Sequence, residues 1–330
     1  MQQPLPGSDP LTTFKIRSGP EIYTAPNSNL PLISGVLWEE DVVMLLGSEK
    51  AGKSILAIQM AAALTSGGTF LDKYAVSRPC DVLYIQTEGK ESDVSDRLNC
   101  MRHALEVDDT RFHHIFKRYI MFDLPEVVEG LIRAIDAKGI HPCVIFLDSL
   151  YTSMLGDLNE NKDTRKFIAI FSRVLERYHC ALVIIHHEGK EWHIEGKAVD
   201  RGDHGSYGSV FWRAWVSHIL YLKKLKDKSR SFGSDTQRTG QILQHEDLIL
   251  LEPDPLCFQI KGEYAAYIEV VRATLRRFPA GILREELIST CGLSASAVDK
   301  AIRELTKLGE IEKTLQKPRK YIPLIGLDAK

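Results

Sequence analysis

The chain has 330 residues, of which 44% are hydrophobic and 26% charged, and its net charge is −2. That length suits about two domains, and the composition excludes wholesale disorder. Apolar runs such as Cys180 to Ile185 fall far short of the ~20 residues of a bilayer span, so no membrane contact is expected. Six scattered cysteines (80, 100, 143, 180, 257, 291) form no C-x-x-C pair, which suits a reducing, cytoplasmic setting.

The first 30 residues carry Pro4, Pro6, Pro10, Pro20 and Pro26 and lack the basic start and apolar stretch of a secretory signal. They predict an extended arm. From residue 31 to about 262 the pattern is that of one α/β domain. VVMLLG, DVLYIQ, CVIFLD and CALVII alternate with helical stretches at Ser54–Leu64, Ser92–Leu105 and Thr164–Tyr178. Near-continuous apolar strands between amphipathic helices predict a mostly parallel sheet covered on both faces. HILYL, TGQILQ, LILLE and LCFQI predict antiparallel additions at one edge. Lys223 to Arg238 holds six basic and two acidic residues without apolar period, and predicts a mobile basic hairpin loop. A second pattern runs from 265 to about 325. It holds helices at Ala265–Arg277 and Leu283–Ser289, and a third, capped by Ser294 or Ser296, running to Leu308. A hairpin of Glu310–Lys313 with Lys320–Pro323 follows.

Gly47-Ser48-Glu49-Lys50-Ala51-Gly52-Lys53-Ser54 fits G-x-x-x-x-G-K-[ST], after an apolar strand and before a helix. Glycines let backbone N–H groups curl around a β-phosphate, and the helix dipole adds to the attraction. Lys53 brings a charge to the β- and γ-oxygens, and Ser54 a hydroxyl for Mg²⁺. Asp148 ends the run VIFLD, at the carboxyl end of a buried strand where ligands of open sheets sit. It suits a Walker B acid that holds the Mg²⁺ water shell. Glu88 ends VLYIQTE, placed to orient or deprotonate an attacking water. His186 and His187 follow the strand Leu182–Ile185, and one of them could sense a γ-phosphate. With Glu188 and His193 they do not form H-E-x-x-H, so zinc is not expected.

Taken together, GSEKAGKS, YIQTEGK, VIFLDSL, LVIIHHEGK (182–190) and RGDHGSYGSVFWRAW (201–215) resemble a RecA-type ATPase. The nearest group is the RepA-like hexameric replicative helicases of plasmids and phages. The resemblance covers about Leu32 to Ile260. It implies ATP and Mg²⁺ as ligands, with Gly47 to Ser54 binding nucleotide and Ser54 and Asp148 the metal. It makes Lys53 and Ser54 the Walker A pair, Glu88 the catalytic glutamate and His187 the γ-phosphate reader. Arg213 matches the arginine finger donated to a neighbouring subunit, with Lys190 and Arg201 as competitors. It further implies a homo-oligomer, hexameric in that group. Loops Tyr151–Lys162 and Glu191–Ser206 would grip single-stranded DNA in a central channel.

No primase or N-terminal helical domain is present in this sequence. Residues 265–325 instead resemble a small winged helix-turn-helix. From Ala265 on, 12 basic residues stand against 8 acidic ones. The recognition helix would bury Leu293, Val298, Ile302, Leu305 and Leu308 and expose Lys300, Arg303 and Lys307. The wing would carry Lys313, Lys317, Arg319 and Lys320 toward duplex DNA. The expected activity is that of an ATP-hydrolysing motor, a helicase or translocase. The alternative is an ATP-gated DNA-binding regulator or recombination mediator without unwinding, and a small-molecule kinase fits less well.

Overall fold

The computed structural model describes residues 18–20, 30–102, 104–187, 193–194, 197–198, 209–234, 242–253, 255–314 and 320–324. Most of the proline-rich arm therefore lies outside the described residues, as do Lys190, Arg201, Lys317 and Arg319.

The first apolar run forms β1 (Val42–Gly47) and passes through the glycine-rich turn into α1 (Lys53–Ser66). Then come β2 (Val82–Gln86), α2 (Ser92–Met101), β3 (Phe112–Phe116) and α3 (Pro125–Lys138). They are followed by β4 (Val144–Asp148), α4 (Asn161–Tyr178), β5 (Ala181–His187) and α5 (Val210–Trp215). The domain closes with β6 (His218–Lys224), β7 (Arg230–Gly233), β8 (Glu246–Leu251) and β9 (Cys257–Ile260). These strands make one nine-stranded sheet in the order β9-β8-β7-β6-β1-β5-β4-β2-β3.

From β6 to β3 the sheet is parallel. Successive residues of each strand alternate between two apolar layers, as the pleat requires. Val43, Leu45, Tyr84, Phe146 and Val183 pack on α1 and α2. Met44, Leu46, Ile85, Ile145 and Ile184 pack on α3, α4 and α5. Both faces are thus buried, which is why the strands read as continuous apolar runs.

The structure corrects three expectations here. HILYL is not an antiparallel addition: β6 runs parallel to β1, and only β7 to β9 are antiparallel. TGQILQ forms no strand where it is described, at Ile242 to Gln244. The expected basic hairpin is present, but its loop is shorter than the sequence suggests, because Lys223 and Lys224 end β6 and pair with Ser231 and Arg230 of β7. With Phe232 as the one large apolar side chain of β7, the strand gave no apolar period. In addition, β3 and α3 were not read from the sequence: β3 is an FHHIF segment with no fully buried residue, His113 half-buried and His114 exposed, and α3 has a narrow apolar stripe of Val128, Leu131 and Ile135.

β9 turns without a linker into α6 (Lys261–Arg276), whose N-cap is Ile260 itself. β10 (Ile282–Leu283), α7 (Arg284–Cys291), α8 (Ala295–Lys307), β11 (Ile311–Lys313) and β12 (Lys320–Pro323) complete the chain. The three strands pair as β10-β12-β11. Ser294 is the cap of α8, its hydroxyl accepting from Ala297 N. The core of this C-terminal part holds Val271, Leu275, Leu287, Val298, Ile302 and Leu305 and shares no residue with the two cores above. Two helix expectations fail. Lys300 is 2% exposed instead of solvated, and Leu308 is 55% exposed instead of inward. α8 ends at Lys307, so Leu308 falls just outside its stripe; Lys300 is buried by a tertiary contact taken up below.

Candidate nucleotide site

The site forms where β1, β4 and β5 end together. Register pairs Gly47 with His187 and Asp148 with Ile185. Glu88 lies two residues beyond Gln86, which pairs with Asp148. Topology thus gathers at one sheet end the residues that lie up to 140 positions apart in sequence.

Two glycines are fixed by geometry. A Cβ on Gly47 would lie 2.3 Å from the Leu222 carbonyl oxygen in β6. Gly52 has φ of 100°, and a Cβ there would lie 2.7 Å from the Phe258 ring. No side chain caps α1 and no acid sits in its first turn. Its leading N–H groups and the positive end of its dipole therefore face the loop, as an anion requires.

Lys53 is 5% exposed. Its ammonium donates to the carbonyls of Gly47 (2.8 Å) and Ser48 (2.9 Å) and lies 3.1 Å from His187 Nδ1. These are the positions a bound phosphate would draw it from. Burial first, and the Lys53 charge second, hold His187 below its usual pKa, so the ring is neutral near pH 7 and Nδ1 can accept. His186 is driven down to about 4, chiefly by burial.

Asp148 is held by Tyr84, whose hydroxyl donates to Oδ2 at 2.6 Å. Burial, then the Asp148 charge, push the Tyr84 phenol far above its normal range, so it remains a donor. This leaves Oδ1 of Asp148 and the Ser54 hydroxyl as hard oxygen donors, a set that fits Mg²⁺. Glu88 accepts from the Ser149 hydroxyl. Thr87 Oγ1, 2.7 Å from Thr152 Oγ1, also accepts from Ser149 N at 2.9 Å. Burial first and the neighbouring Asp148 second raise the Glu88 pKa, as suits a base that must accept a proton.

A cleft of 460 Å³ opens beside these groups. Glu88, Thr152, His187, Arg118, Tyr119 and Tyr151 line it. Arg118 donates twice to the Gly89 carbonyl, at 2.9 and 3.1 Å. On the opposite flank, Lys224 Nζ donates to the Glu49 carbonyl (2.7 Å) and Arg230 Nε to that of Ala51 (2.9 Å).

Lys53, Glu88, Asp148 and His187 are therefore brought together around the loop. Arg213 belongs to another element. It stands in the last turn of α5, which packs on α4 through Trp212 and Phe167. Tyr84, Thr87, Ser149, Arg118, Lys224 and Arg230 were given no role from sequence. For Tyr84 a signal existed: a hydroxyl in an otherwise apolar buried strand needs a partner.

A profile of the AAA domain family matches residues 21–192, just over half of the chain. A comparison with curated proteins found no match. Among solved structures, a KaiC-like protein from Pyrococcus horikoshii is 13% identical, with a TM-score of 0.48, over 71% of this chain and 97% of its own. The RadB recombinase is 16% identical, with a TM-score of 0.47, over 64% and 88%.

Proposed function

The chain belongs to the AAA domain family, a RecA-like P-loop ATPase, and on that premise we propose that it is an ATP-driven motor acting on single-stranded DNA as a homo-oligomer. The helicase or translocase form is that of the RepA-like group. The observation that carries this reading is the Lys53 ammonium, held between two loop carbonyls and His187 beside two acids.

In this reading the triphosphate takes Lys53 from its carbonyl partners. Ser54 and Asp148 would hold Mg²⁺, which would supply neutralisation of phosphate charge. Tyr84 fixes the Asp148 carboxylate by one oxygen. Glu88, oriented by Ser149 and kept basic by its surroundings, takes a proton from the attacking water. His187 loses its Lys53 contact when the ammonium moves to the terminal phosphate, and so reads that group. Arg213 of a neighbouring subunit would stabilise the charge of the transition state, worth about 10³–10⁵ in rate in well-studied NTPases.

ATP turnover, strand displacement and mass with and without nucleotide test this. Turnover stimulated by single-stranded DNA, with displacement of a complementary strand, supports the motor; Lys53→Ala with unchanged turnover overturns it. Mixing Arg213→Ala with Glu88→Gln should restore some hydrolysis through interfaces that join two intact halves. A second reading, a nucleotide-gated DNA-binding regulator without unwinding, is favoured by the ion pair of Lys300 in α8 with Asp72 of the ATPase domain. Weak turnover stimulated by duplex and no displacement would select it.

A further inference from the structure

α8 is the helix whose side chains would reach DNA if residues 265–325 act as a winged helix. Instead, its N-terminal half is pinned to the ATPase domain at two points one turn apart. Ser296 Oγ donates to the Ala104 carbonyl at 2.6 Å. Lys300 Nζ lies 2.7 Å from Asp72 Oδ2. The same Asp72 oxygen accepts from Gln259 Nε2 of β9 at 2.8 Å. Lys300 is the cation that the sequence placed toward solvent, and it is 2% exposed.

Both pins are polar. The C-terminal core is built only from its own residues. Beside the pins a groove of 1130 Å³ runs between Leu250, Glu252 and Pro253 on one wall and Ile302 and Lys307 on the other. An ammonium this deeply buried depends on its counter-charge. A carboxylate at 2.7 Å is the geometry of a charge-assisted bond to any anionic oxygen, phosphate included. Lys307, Lys313 and Lys320 of this part are exposed, while Arg272 and Arg284 are paired with Glu310 and Asp299, and the region as a whole has four more basic than acidic residues.

We propose that the Ser296–Lys300 face of α8 is a binding surface for the backbone of duplex DNA, and that Asp72 holds it closed by standing where a phosphate would stand. The wing cations make first contact, and α8 engages only when DNA phosphate displaces Asp72 from Lys300. The proposal rests on the reading of residues 265–325 as a DNA-binding unit, and it is independent of strand separation.

Asp72→Asn tests it directly. Asp72 has φ of 57°, which Asn tolerates well, and an Asn side-chain oxygen still accepts from Gln259. Only the charge is lost. Binding of a short fluorescent DNA duplex to the full chain is measured by anisotropy over a salt series, with hydrogen exchange of the α8 amides read on the same samples. Asp72→Asn should tighten duplex binding about tenfold and steepen the salt slope by about one phosphate contact. It should also raise exchange in α8. Asp72→Asn combined with Lys300→Gln should return the affinity to that of the unaltered chain.

Ser296→Ala provides a second variant that buries no unpaired charge, and it should move both readouts the same way by a smaller factor. Faster α8 exchange without tighter duplex binding overturns the proposal, and so does unchanged exchange in both variants. ATP turnover with single-stranded DNA is followed in parallel. A working motor whose duplex affinity ignores Asp72 sinks this inference alone; absent turnover with Asp72-sensitive duplex binding sinks the motor and leaves it standing.

Discussion

The nucleotide loop and the C-terminal helix α8 each bury a lysine, and they do so in opposite ways. Lys53 is held by carbonyl dipoles and a neutral imidazole, partners that give it up when a phosphate arrives. Lys300 is held by a full carboxylate. The first arrangement keeps a charge available for a ligand; the second uses the charge inside the fold. Burial alone therefore says little about whether a cation is functional. The charge of its partner decides.

Substitutions can break this contrast. Lys53→Ala should lower steady-state ATP turnover by about 10³-fold, the scale of losing a preorganised electrostatic group. Its unfolding midpoint should stay close to the original, since no carboxylate is left unpaired. Gly47→Ala should be the most damaging of the structural changes. Its Cβ would meet the Leu222 carbonyl at 2.3 Å, and about 3 kcal/mol or more of stability should be lost in denaturant unfolding. Gly309 has φ of 71° and nothing within 4 Å, so Gly309→Ala in the C-terminal part should cost only about 1–2 kcal/mol of strain.

Tyr84→Phe sharpens the comparison inside the site. It keeps the buried ring and leaves Asp148 without its donor, at a cost of about 1–3 kcal/mol. ATP turnover should fall roughly tenfold, the equivalent of about 1.4 kcal/mol of lost transition-state stabilisation. Isothermal titration should show weaker binding of Mg²⁺-nucleotide but unchanged binding of nucleotide alone. Smallest of all, Lys224→Ala should leave thermal stability within about 0.5 kcal/mol, as exposed contacts do, and raise the KM for ATP a few-fold. An unchanged KM would show that the β6–β7 flank does not steady the loop.

Much of the site was legible because its chemistry is local. Gly47 to Ser54 must be contiguous to wrap a phosphate, and Asp148, Glu88 and His187 announce themselves as polar residues ending apolar runs. The hydroxyl supports were not legible. Thr87, Ser149 and Thr152 are ordinary residue types, and their use depends on register between β2 and β4. Lys224 and Arg230 were placed in a loop for another reason: the charged ends of the β6–β7 hairpin carry too little apolar alternation to look like strands. Lys300 failed in the same way, since helical period placed it correctly on α8 but not against Asp72, 228 positions earlier.

The sequence by itself determined the parallel α/β sheet, the phosphate-binding turn and the helices and hairpin of the C-terminal part. All of these follow from short-range periodicity, turn chemistry and steric limits on glycine. Only the tertiary structure decided which cations face a ligand and which are neutralised within the chain. Coulombic pairing acts over a few ångströms of space, and distance along the sequence does not predict it.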